Sequence, residues 1–148
     1  MDAQVAWPMT TAIDTNVLVL LWNEDDRLNR LAQSALDSAL EHGGLVISAP
    51  VFGELLAAPS RTEAFLNSFC EETGISVEWE LDQGIWRTAG QAFQNYASRR
   101  RQKRLPGPRR ILADFVIGAH ALRRGYRLLT LDDSLYRLAF PQLSLLAF

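Results

Sequence analysis

Short apolar stretches of the kind found in buried β-strands alternate along this chain with longer stretches of helical spacing. Strand character is found at residues 10–13, 45–48, 75–79, 127–131 and 143–147. Between them, apolar residues recur every three or four positions, which indicates amphipathic helices. Strands separated by helices or helical pairs favour a parallel sheet, because parallel neighbours need a long crossover connection. The chain is therefore predicted to be an α/β protein with helices on both faces of a parallel sheet.

Capping and helix-breaking residues define the predicted helices. Gly43 and Gly125 each end one helix, Pro50 stands where a third begins, and either Ser60 or Thr62 can cap a fourth. One predicted helix runs from Asp14 as far as residue 22, one follows Pro50, and one follows either Ser60 or Thr62. The others cover residues 28–39, 82–101, 111–124 and 134–139. With 148 residues and neither a repeat nor a linker, the chain is expected to form one domain over residues 1–148.

The cysteine count and the N-terminal residues bear on where the protein acts. Cys70 is the only cysteine, so an internal disulfide is impossible and a paired-cysteine zinc site is excluded. Residues 1–9 carry Asp2 and Pro8 and have no basic region, so we expect neither a signal peptide nor a membrane span. These features predict a cytoplasmic protein with no membrane partner.

Charge is distributed very unevenly along the chain. Seven basic residues and no acidic residue lie in residues 99–110, although the net charge of the whole chain is −2. The rest of the chain contains eight basic and seventeen acidic residues, so its formal charge is −9. This separation suits a basic edge that binds a polyanion beside an acidic pocket, while a solvated helix end is the commoner meaning of a basic run.

Four acidic residues are predicted to reach the same edge of the sheet. Asp14 ends the first strand, Glu54 lies in the first turn after the second, Asp114 opens the helix over residues 111–124, and Asp132 ends the fourth strand. Ligands of open α/β sheets collect outside the carboxyl ends of the strands. Each acid alone could be a helix cap, a dipole partner or a turn residue. Asp14 and Asp114 stand among apolar residues, however, and a buried carboxylate requires a cation or hydrogen-bond donors.

The segments that carry these acids resemble the successive motifs of PIN domains, especially those of VapC toxins from bacterial toxin-antitoxin pairs. They read AIDTNVL at residues 12–18, GEL at residues 53–55, ADFVIGAHA at residues 113–121 and LLTLD at residues 128–132. The resemblance runs in the same order over almost the whole chain. One departure is the basic, proline-containing segment before Asp114, which is longer and more charged than the short loop of the family.

The resemblance implies a five-stranded, mostly parallel sheet, a homodimer, and an endoribonuclease that uses Mg²⁺ or Mn²⁺ and is neutralised by a cognate antitoxin. It assigns the acidic quartet to Asp14, Glu54, Asp114 and Asp132, although Asp133 competes with Asp132 for the fourth position. Asn16 and Thr130 match the supporting polar positions of the family.

Metal-assisted hydrolysis is the chemistry that such a quartet permits. Mg²⁺ retains several waters, so one or two direct carboxylates suffice for each ion and the others can act through water. A water activated by the metal then attacks the RNA phosphodiester in line. The strongest candidates for direct ligation are Asp14 and Asp114, with Glu54 completing the site and Asp132 holding a water or a second ion.

Two other functions fit parts of the pattern. A phosphotransfer domain with an aspartyl nucleophile also has acids at strand ends, but Asp14 lacks a second acid two residues later and Lys103 is the only lysine. A PIN-like module that binds RNA or protein without cutting it remains the main alternative to a nuclease. Arg104, Arg109 and Arg110 are predicted to guide RNA towards the acidic site, because Arg109 and Arg110 closely precede Asp114.

Overall fold

A sheet of five parallel strands forms the centre of the fold. The structure, a computed structural model, describes residues 9–103, 109–146 and 148. The strands are β1 (Thr11–Ile13), β2 (Leu45–Ser48), β3 (Ile75–Glu78), β4 (Arg127–Leu129) and β5 (Leu145–Leu146). The helices in these residues are α1 (Thr15–Leu21), α2 (Asn29–His42), α3 (Ala49–Leu56), α4 (Glu63–Thr73), α5 (Gln83–Lys103), α6 (Leu112–Arg124) and α7 (Asp133–Ala139). The predicted fold class, an α/β protein with a five-stranded parallel sheet flanked by helices, is confirmed.

The strand order creates a topological switch point beside β1. The sheet has the order β3-β2-β1-β4-β5, and each neighbouring pair is parallel. The chain therefore leaves β1 towards β2 and β3 on one side and returns to β4 and β5 on the other. Helices that follow β1 and β4 consequently diverge, which opens a crevice outside the carboxyl ends of these two strands.

Two predicted strands are shorter in the structure by two residues or more. β4 ends at Leu129 rather than at residue 131, because side chains capture the next backbone amides: Leu131 N donates to Asn16 Oδ1 at 3.2 Å and Asp132 N donates to Thr130 Oγ1 at 2.9 Å. Asp132 thus lies three residues beyond the strand that it was predicted to end. The last strand starts at Leu145 instead of residue 143, since Leu143 N closes a turn onto Phe140 O, and residue 147 lies outside the described residues.

Helix α3 begins one residue before Pro50, at Ala49. Glu54 therefore lies in the second helical turn and not in the first turn that was predicted. The remaining predicted helices lie where they were expected, with Thr62 rather than Ser60 capping α4 through a 3.0 Å bond from Phe65 N.

The longest described helix, α5, packs antiparallel to α6 and carries much of the basic charge. Its 21 residues end in a turn with Arg100, Arg101 and Lys103, whose positive charges favour the negative end of the helix dipole. Among the described residues, no helix combines the length and the hydropathy needed to cross a bilayer.

Helix α6 is buried on every side from Phe115 to Ala121. Gly118 lies within this stretch, and a Cβ atom at its position would overlap the Phe140 ring. The close approach at Gly118 is therefore to Phe140, directly after α7. Asp132 directly precedes α7 and Phe140 directly follows it. The contact between Gly118 and Phe140 therefore helps to hold α7, and with it Asp132, against α6.

We expect Gly118→Ala to lower the free energy of unfolding by about 1–3 kcal/mol, because the added methyl must displace a buried ring. Urea unfolding followed by circular dichroism measures this change. Gly90→Ala on α5 is the matched control, since a Cβ there meets nothing within 4 Å and alanine favours helix. Equal stability of the wild-type and Gly118→Ala proteins would contradict the packing described.

Candidate active site

The crevice beside β1 forms an open cleft of about 530 Å³. All four predicted acids line it, namely Asp14, Glu54, Asp114 and Asp132. Asp26, which sequence reasoning did not select, is a fifth acid on the same lining. A second groove of about 450 Å³ runs between α5, α6 and α7, and none of its lining residues is acidic. The switch-point cleft is therefore the candidate active site.

Asp14 is the most buried of the four predicted acids, with 6% of its surface exposed. It follows β1 directly and caps α1, with its Oδ1 accepting a 2.8 Å bond from Thr15 N. Its Oδ2 accepts bonds from the hydroxyls of Thr130 at 2.8 Å and Tyr136 at 3.0 Å. These donors come from α1, the end of β4 and α7, so three elements fix the direction of one carboxylate.

Burial raises the pKa of Asp14 to about 6. The hydrogen bonds from Thr130, Tyr136 and Thr15 oppose this rise, and the charge of Asp114 adds to it. The pKa of the Tyr136 hydroxyl is also raised, first by burial and then by the charge of Asp14, so this hydroxyl remains a donor. An ionised Asp14 is therefore incompletely compensated by the protein, as expected for a group that meets a cation.

Asp114 lies in the first turn of α6, as predicted. Its Oδ2 accepts a 3.1 Å bond from Ile111 N, which caps the helix. Burial raises the pKa of Asp114, the Ile111 amide and Arg110 lower it, and the charge of Asp132 raises it again. The charge of Asp114 thus interacts with the charges of Arg110 and Asp132.

Glu54 is half-buried on α3 and contacts α1 through a side-chain bond. Thr15 Oγ1 donates to Glu54 Oε1 at 2.6 Å. Thr15 follows Asp14 in the chain, so it links two of the four acids, one through its backbone amide and the other through its hydroxyl. Sequence reasoning had given Thr15 no role.

Asp132 forms an ion pair with Arg110 across the cleft. Arg110 Nη1 donates to Asp132 Oδ2 at 2.5 Å, and Nη2 lies 3.4 Å from Oδ1. The neighbouring carboxylate of Asp133 instead pairs with Arg137 on α7 at 3.2 Å. Of the two candidates for the fourth acid, the structure therefore places Asp132 and not Asp133 on the cleft lining.

The two predicted supporting residues lie beside Asp14. Thr130 donates to the Asp14 carboxylate and accepts from Asp132 N, so its hydroxyl connects two acids. Asn16 Nδ2 lies 3.4 Å from Asp14 Oδ2, while Asn16 Oδ1 accepts from Leu131 N. Tyr136 was not predicted, because a tyrosine in a short helix has no sequence signal that distinguishes a carboxylate donor from a core residue.

The three arginines predicted to guide RNA have different positions. Arg104 lies outside the described residues. Arg109 lines a small cavity of about 290 Å³ together with Arg100 and Arg101, at the end of α5. Of the two that the structure describes, Arg110 lines the acidic cleft, where it pairs with Asp132.

The donor atoms of the cleft suit a hard divalent cation. Its lining offers carboxylate, amide and hydroxyl oxygens, which Mg²⁺ and Mn²⁺ prefer. Within the described part of the chain, no group of three or more Asp, Glu, His or Cys side chains is arranged to hold a metal ion. Because Mg²⁺ retains several waters, one or two direct carboxylates are enough, and the uncompensated charges of Asp14 and Asp114 fit this role.

The raised pKa of Asp14 predicts a pH-dependent stability of the metal-free protein. The pKa of Asp14 in the folded protein exceeds its ordinary value of 3.8. The stability that Asp14 contributes is therefore fully present below pH 3.8 and is lost as the pH rises through about 6. An asparagine at this position lacks the dependence. In EDTA at pH 7.5 we expect the free energy of unfolding of Asp14→Asn to exceed that of wild type by up to about 3 kcal/mol.

Urea unfolding of both proteins at several pH values between 4 and 8 tests this expectation. The difference in unfolding free energy between Asp14→Asn and wild type should shrink towards zero near pH 4. A difference that stays constant over this pH range would show that the carboxylate of Asp14 is not destabilised by burial.

Comparisons with known proteins agree with the fold and extend over most of the chain. A family model described as the PIN domain matches residues 11–141. No curated protein matches the chain.

Several solved structures share the fold at low sequence identity. VapBC2 from Rickettsia felis, bound to a DNA fragment from its promoter, superposes with a TM-score of 0.68 at 19% identity, covering 94% of this chain and 98% of that one. VapBC-1 from nontypeable Haemophilus influenzae gives 0.65 at 18% identity, with 94% and 98% covered. VapC20 from Mycobacterium tuberculosis, a toxin that cleaves the sarcin-ricin loop, gives 0.54 at 18% identity, with 79% and 85% covered.

Proposed function

Because this chain belongs to the PIN domain family, we propose that it is a VapC-like endoribonuclease that depends on Mg²⁺ or Mn²⁺. The observation that carries the proposal is the convergence of Asp14, Glu54, Asp114 and Asp132 on one cleft at the switch point of the sheet. PIN-domain nucleases generally use divalent metals, which agrees with the oxygen donors of this cleft. The toxin role is inferred from the VapC structures that share the fold.

Each side chain of the cleft has a distinct role in this proposal. Asp14 and Asp114 would bind the cation directly, Glu54 would complete the site, and Asp132 would hold a water or a second ion. A bound divalent cation would supply a water of lowered pKa and neutralise charge on the phosphate and the departing oxygen. Thr130 and Tyr136 hold the Asp14 carboxylate in one direction, and Asn16 lies within reach of the same oxygen.

RNA would reach the cleft along the basic segment that precedes α6. We assign phosphate contacts to Arg104, Arg109 and Arg110, because this segment leads directly to Asp114 and Arg110 already faces the cleft. Phosphate contacts release counterions, so replacing these arginines should weaken RNA binding similarly across sequences and flatten its salt dependence.

Cleavage of RNA by the purified chain tests the proposal most simply. A structured RNA is incubated with the protein in Mn²⁺, in Mg²⁺ and in EDTA, beside Asp14→Asn prepared in the same way. We expect fragments with either metal, none in EDTA, and restored cleavage when Mn²⁺ is added in excess. If the RNA is bound but stays intact under every metal condition, the chain is a binding module and the proposed activity is wrong.

The chemistry of the product ends distinguishes two ways of cutting RNA. Attack by an activated water leaves 5′-phosphate and 3′-hydroxyl ends, whereas attack by the 2′-hydroxyl leaves 2′,3′-cyclic phosphate and usually requires a pair of general acid and base groups. The two histidines of the chain lie outside the cleft, His42 bonded to Ser38 O and His120 to Glu78. Mass spectrometry of fresh products should therefore find 5′-phosphate, and cyclic ends would overturn this mechanism.

The partners proposed for this chain are a cognate antitoxin and a second copy of itself, in the cytoplasm. Structures named VapBC contain both members of such a pair, which supports the first of these partners. Expression of the wild-type chain should arrest bacterial growth, while expression of Asp14→Asn should not.

Light scattering on the purified chain measures the oligomeric state, for which we expect a dimer.

A further inference from the structure

The guanidinium of Arg110 is the only basic group among the described residues that line the acidic cleft. Five carboxylates share that lining, those of the four predicted acids and of Asp26. The fork of Arg110 faces both oxygens of Asp132, with one bond at 2.5 Å and a second contact at 3.4 Å. Asp132, one of the groups proposed for metal binding, is thus already neutralised by a cation that belongs to the chain.

The backbone of Arg110 is held from outside the cleft. Arg110 N donates to the hydroxyl of Tyr96 at 2.8 Å, and Arg100 Nη1 donates to the same oxygen at 3.2 Å. Tyr96 is buried on α5 and its ring packs 5.4 Å from that of Phe115 on α6. The backbone of Arg110 is therefore anchored to α5 through Tyr96, which itself packs against α6.

Asp132 is anchored on the opposite side. Its amide donates to the Thr130 hydroxyl, which in turn donates to Asp14. The side chains of Arg110 and Asp132 keep 29% and 26% of their surface exposed, so water reaches the pair. Because the pair is only partly buried, a divalent cation or a phosphate can reach it and compete for either partner.

We propose that Arg110 serves as the counter-cation of Asp132 while no metal is bound and exchanges it for an RNA phosphate when metal and substrate bind. This inference rests on the proposed function. A metal near Asp132 repels the guanidinium and satisfies the carboxylate, while the planar fork of arginine matches phosphate oxygens. Arg110 thereby opposes metal binding and favours RNA binding.

These opposite effects give Arg110 a signature that a simple RNA contact lacks. Removal of Arg110 should strengthen Mn²⁺ binding in the absence of RNA by about tenfold, because a positive charge beside the ion is lost. The same change should weaken RNA binding about threefold to tenfold through the loss of a phosphate contact. Arg109 carries the same charge one residue away and does not line the cleft, so Arg109→Ala should leave Mn²⁺ affinity unchanged.

The test measures Mn²⁺ binding by calorimetry for wild type, Arg110→Ala and Arg109→Ala, with thermal unfolding as a check of folding. RNA binding is measured by fluorescence anisotropy with each arginine change placed in an Asp14→Asn background. Asp132→Asn and the double variant Arg110→Ala/Asp132→Asn are measured in the same way. Removal of Arg110 should raise Mn²⁺ affinity less in the Asp132→Asn background than in wild type, since the carboxylate that Arg110 occupies is already absent there. Such a double-mutant cycle assigns the effect to this pair.

Unchanged or weaker Mn²⁺ binding by folded Arg110→Ala would overturn the inference. If the wild-type chain nevertheless cleaves RNA with Mn²⁺, only the role of Arg110 fails and the proposed function stands. If neither wild type nor Arg110→Ala binds Mn²⁺, both the metal dependence and the role of Arg110 are wrong.

Discussion

Asp14→Asn is expected to reduce RNA cleavage by about a thousandfold or more, because it removes the best-oriented charge of the proposed metal site. Asparagine has the same shape as aspartate, and the rotatable hydroxyls of Thr130 and Tyr136 can donate to its amide oxygen. The fold should therefore persist, with higher metal-free stability at neutral pH. Initial rates on a fluorescent RNA in Mn²⁺ measure the loss.

Asp133→Asn is the matched control for this experiment. Asp133 follows Asp132 directly, but its carboxylate pairs with Arg137 and does not line the cleft. The control should retain cleavage within about twofold of wild type, as expected of a surface change away from the site. Wild-type rates for Asp14→Asn, or equal losses in both variants, would contradict the assignment of the site.

Glu78→Ala is expected to lower the free energy of unfolding by about 2–4 kcal/mol, through a cluster that takes no part in the cleft. Glu78 Oε1 accepts from His120 Nε2 at 2.8 Å, and Oε2 accepts from the Tyr126 hydroxyl at 2.7 Å. His120 is almost completely buried, so loss of the carboxylate leaves a buried donor without its partner. Arg124 also loses a neighbouring counter-ion, 3.6 Å away.

This effect should depend on pH in a defined direction. Burial alone would raise the pKa of Glu78, but hydrogen bonds from Tyr126 and His120 bring it below its usual value. Burial lowers the pKa of His120, against the influence of Glu78. The Glu78 carboxylate therefore contributes stability that is fully present above its ordinary pKa of 4.5 and is lost as the pH falls through its lower folded-state pKa.

Urea unfolding at pH 7.5 and at pH 4 tests the Glu78 prediction. The difference in unfolding free energy between wild type and Glu78→Ala should be present at pH 7.5 and should narrow towards pH 4, where Glu78 begins to be protonated. Glu80→Ala, an exposed neighbour on the same segment, should change stability by no more than about 0.5 kcal/mol. Equal stability of Glu78→Ala and wild type at pH 7.5 would show that the cluster contributes nothing to folding.

The strands and helices could be predicted because their signals are local. β2 is an apolar run between Gly44 and Pro50, and α6 ends at Gly125, which has a φ of +73° that favours glycine. Asp14 follows β1 and Asp114 lies in the first turn of α6. Both could be placed at the same edge of the sheet because the parallel strands all run in one direction and the helices between them run back in the other. A local pattern and one topological rule were therefore sufficient to predict the fold and the shared position of the acids.

Two groups that contact the acids of the cleft, Tyr136 as a donor and Arg110 as a counter-ion, could not be predicted in these roles, because they come from distant parts of the chain. Tyr136 donates to a carboxylate 122 residues earlier, and Arg110 pairs with an acid 22 residues later. Neither side chain has a spacing or a motif that distinguishes it from a core tyrosine or a solvated arginine. Their roles depend on how α7 and the segment before α6 pack around the sheet, which is a property of the assembled fold.

In the proposed function, the acidic cleft holds the metal on which RNA cleavage depends. A crystal structure of the wild-type chain soaked in Mn²⁺, with data collected above and below the Mn absorption edge, tests it most directly. We predict an anomalous peak in the cleft in direct contact with the carboxylates of Asp14 and Asp114. A fully ordered cleft without such a peak in crystals that carry Mn²⁺ at another site would contradict the claim.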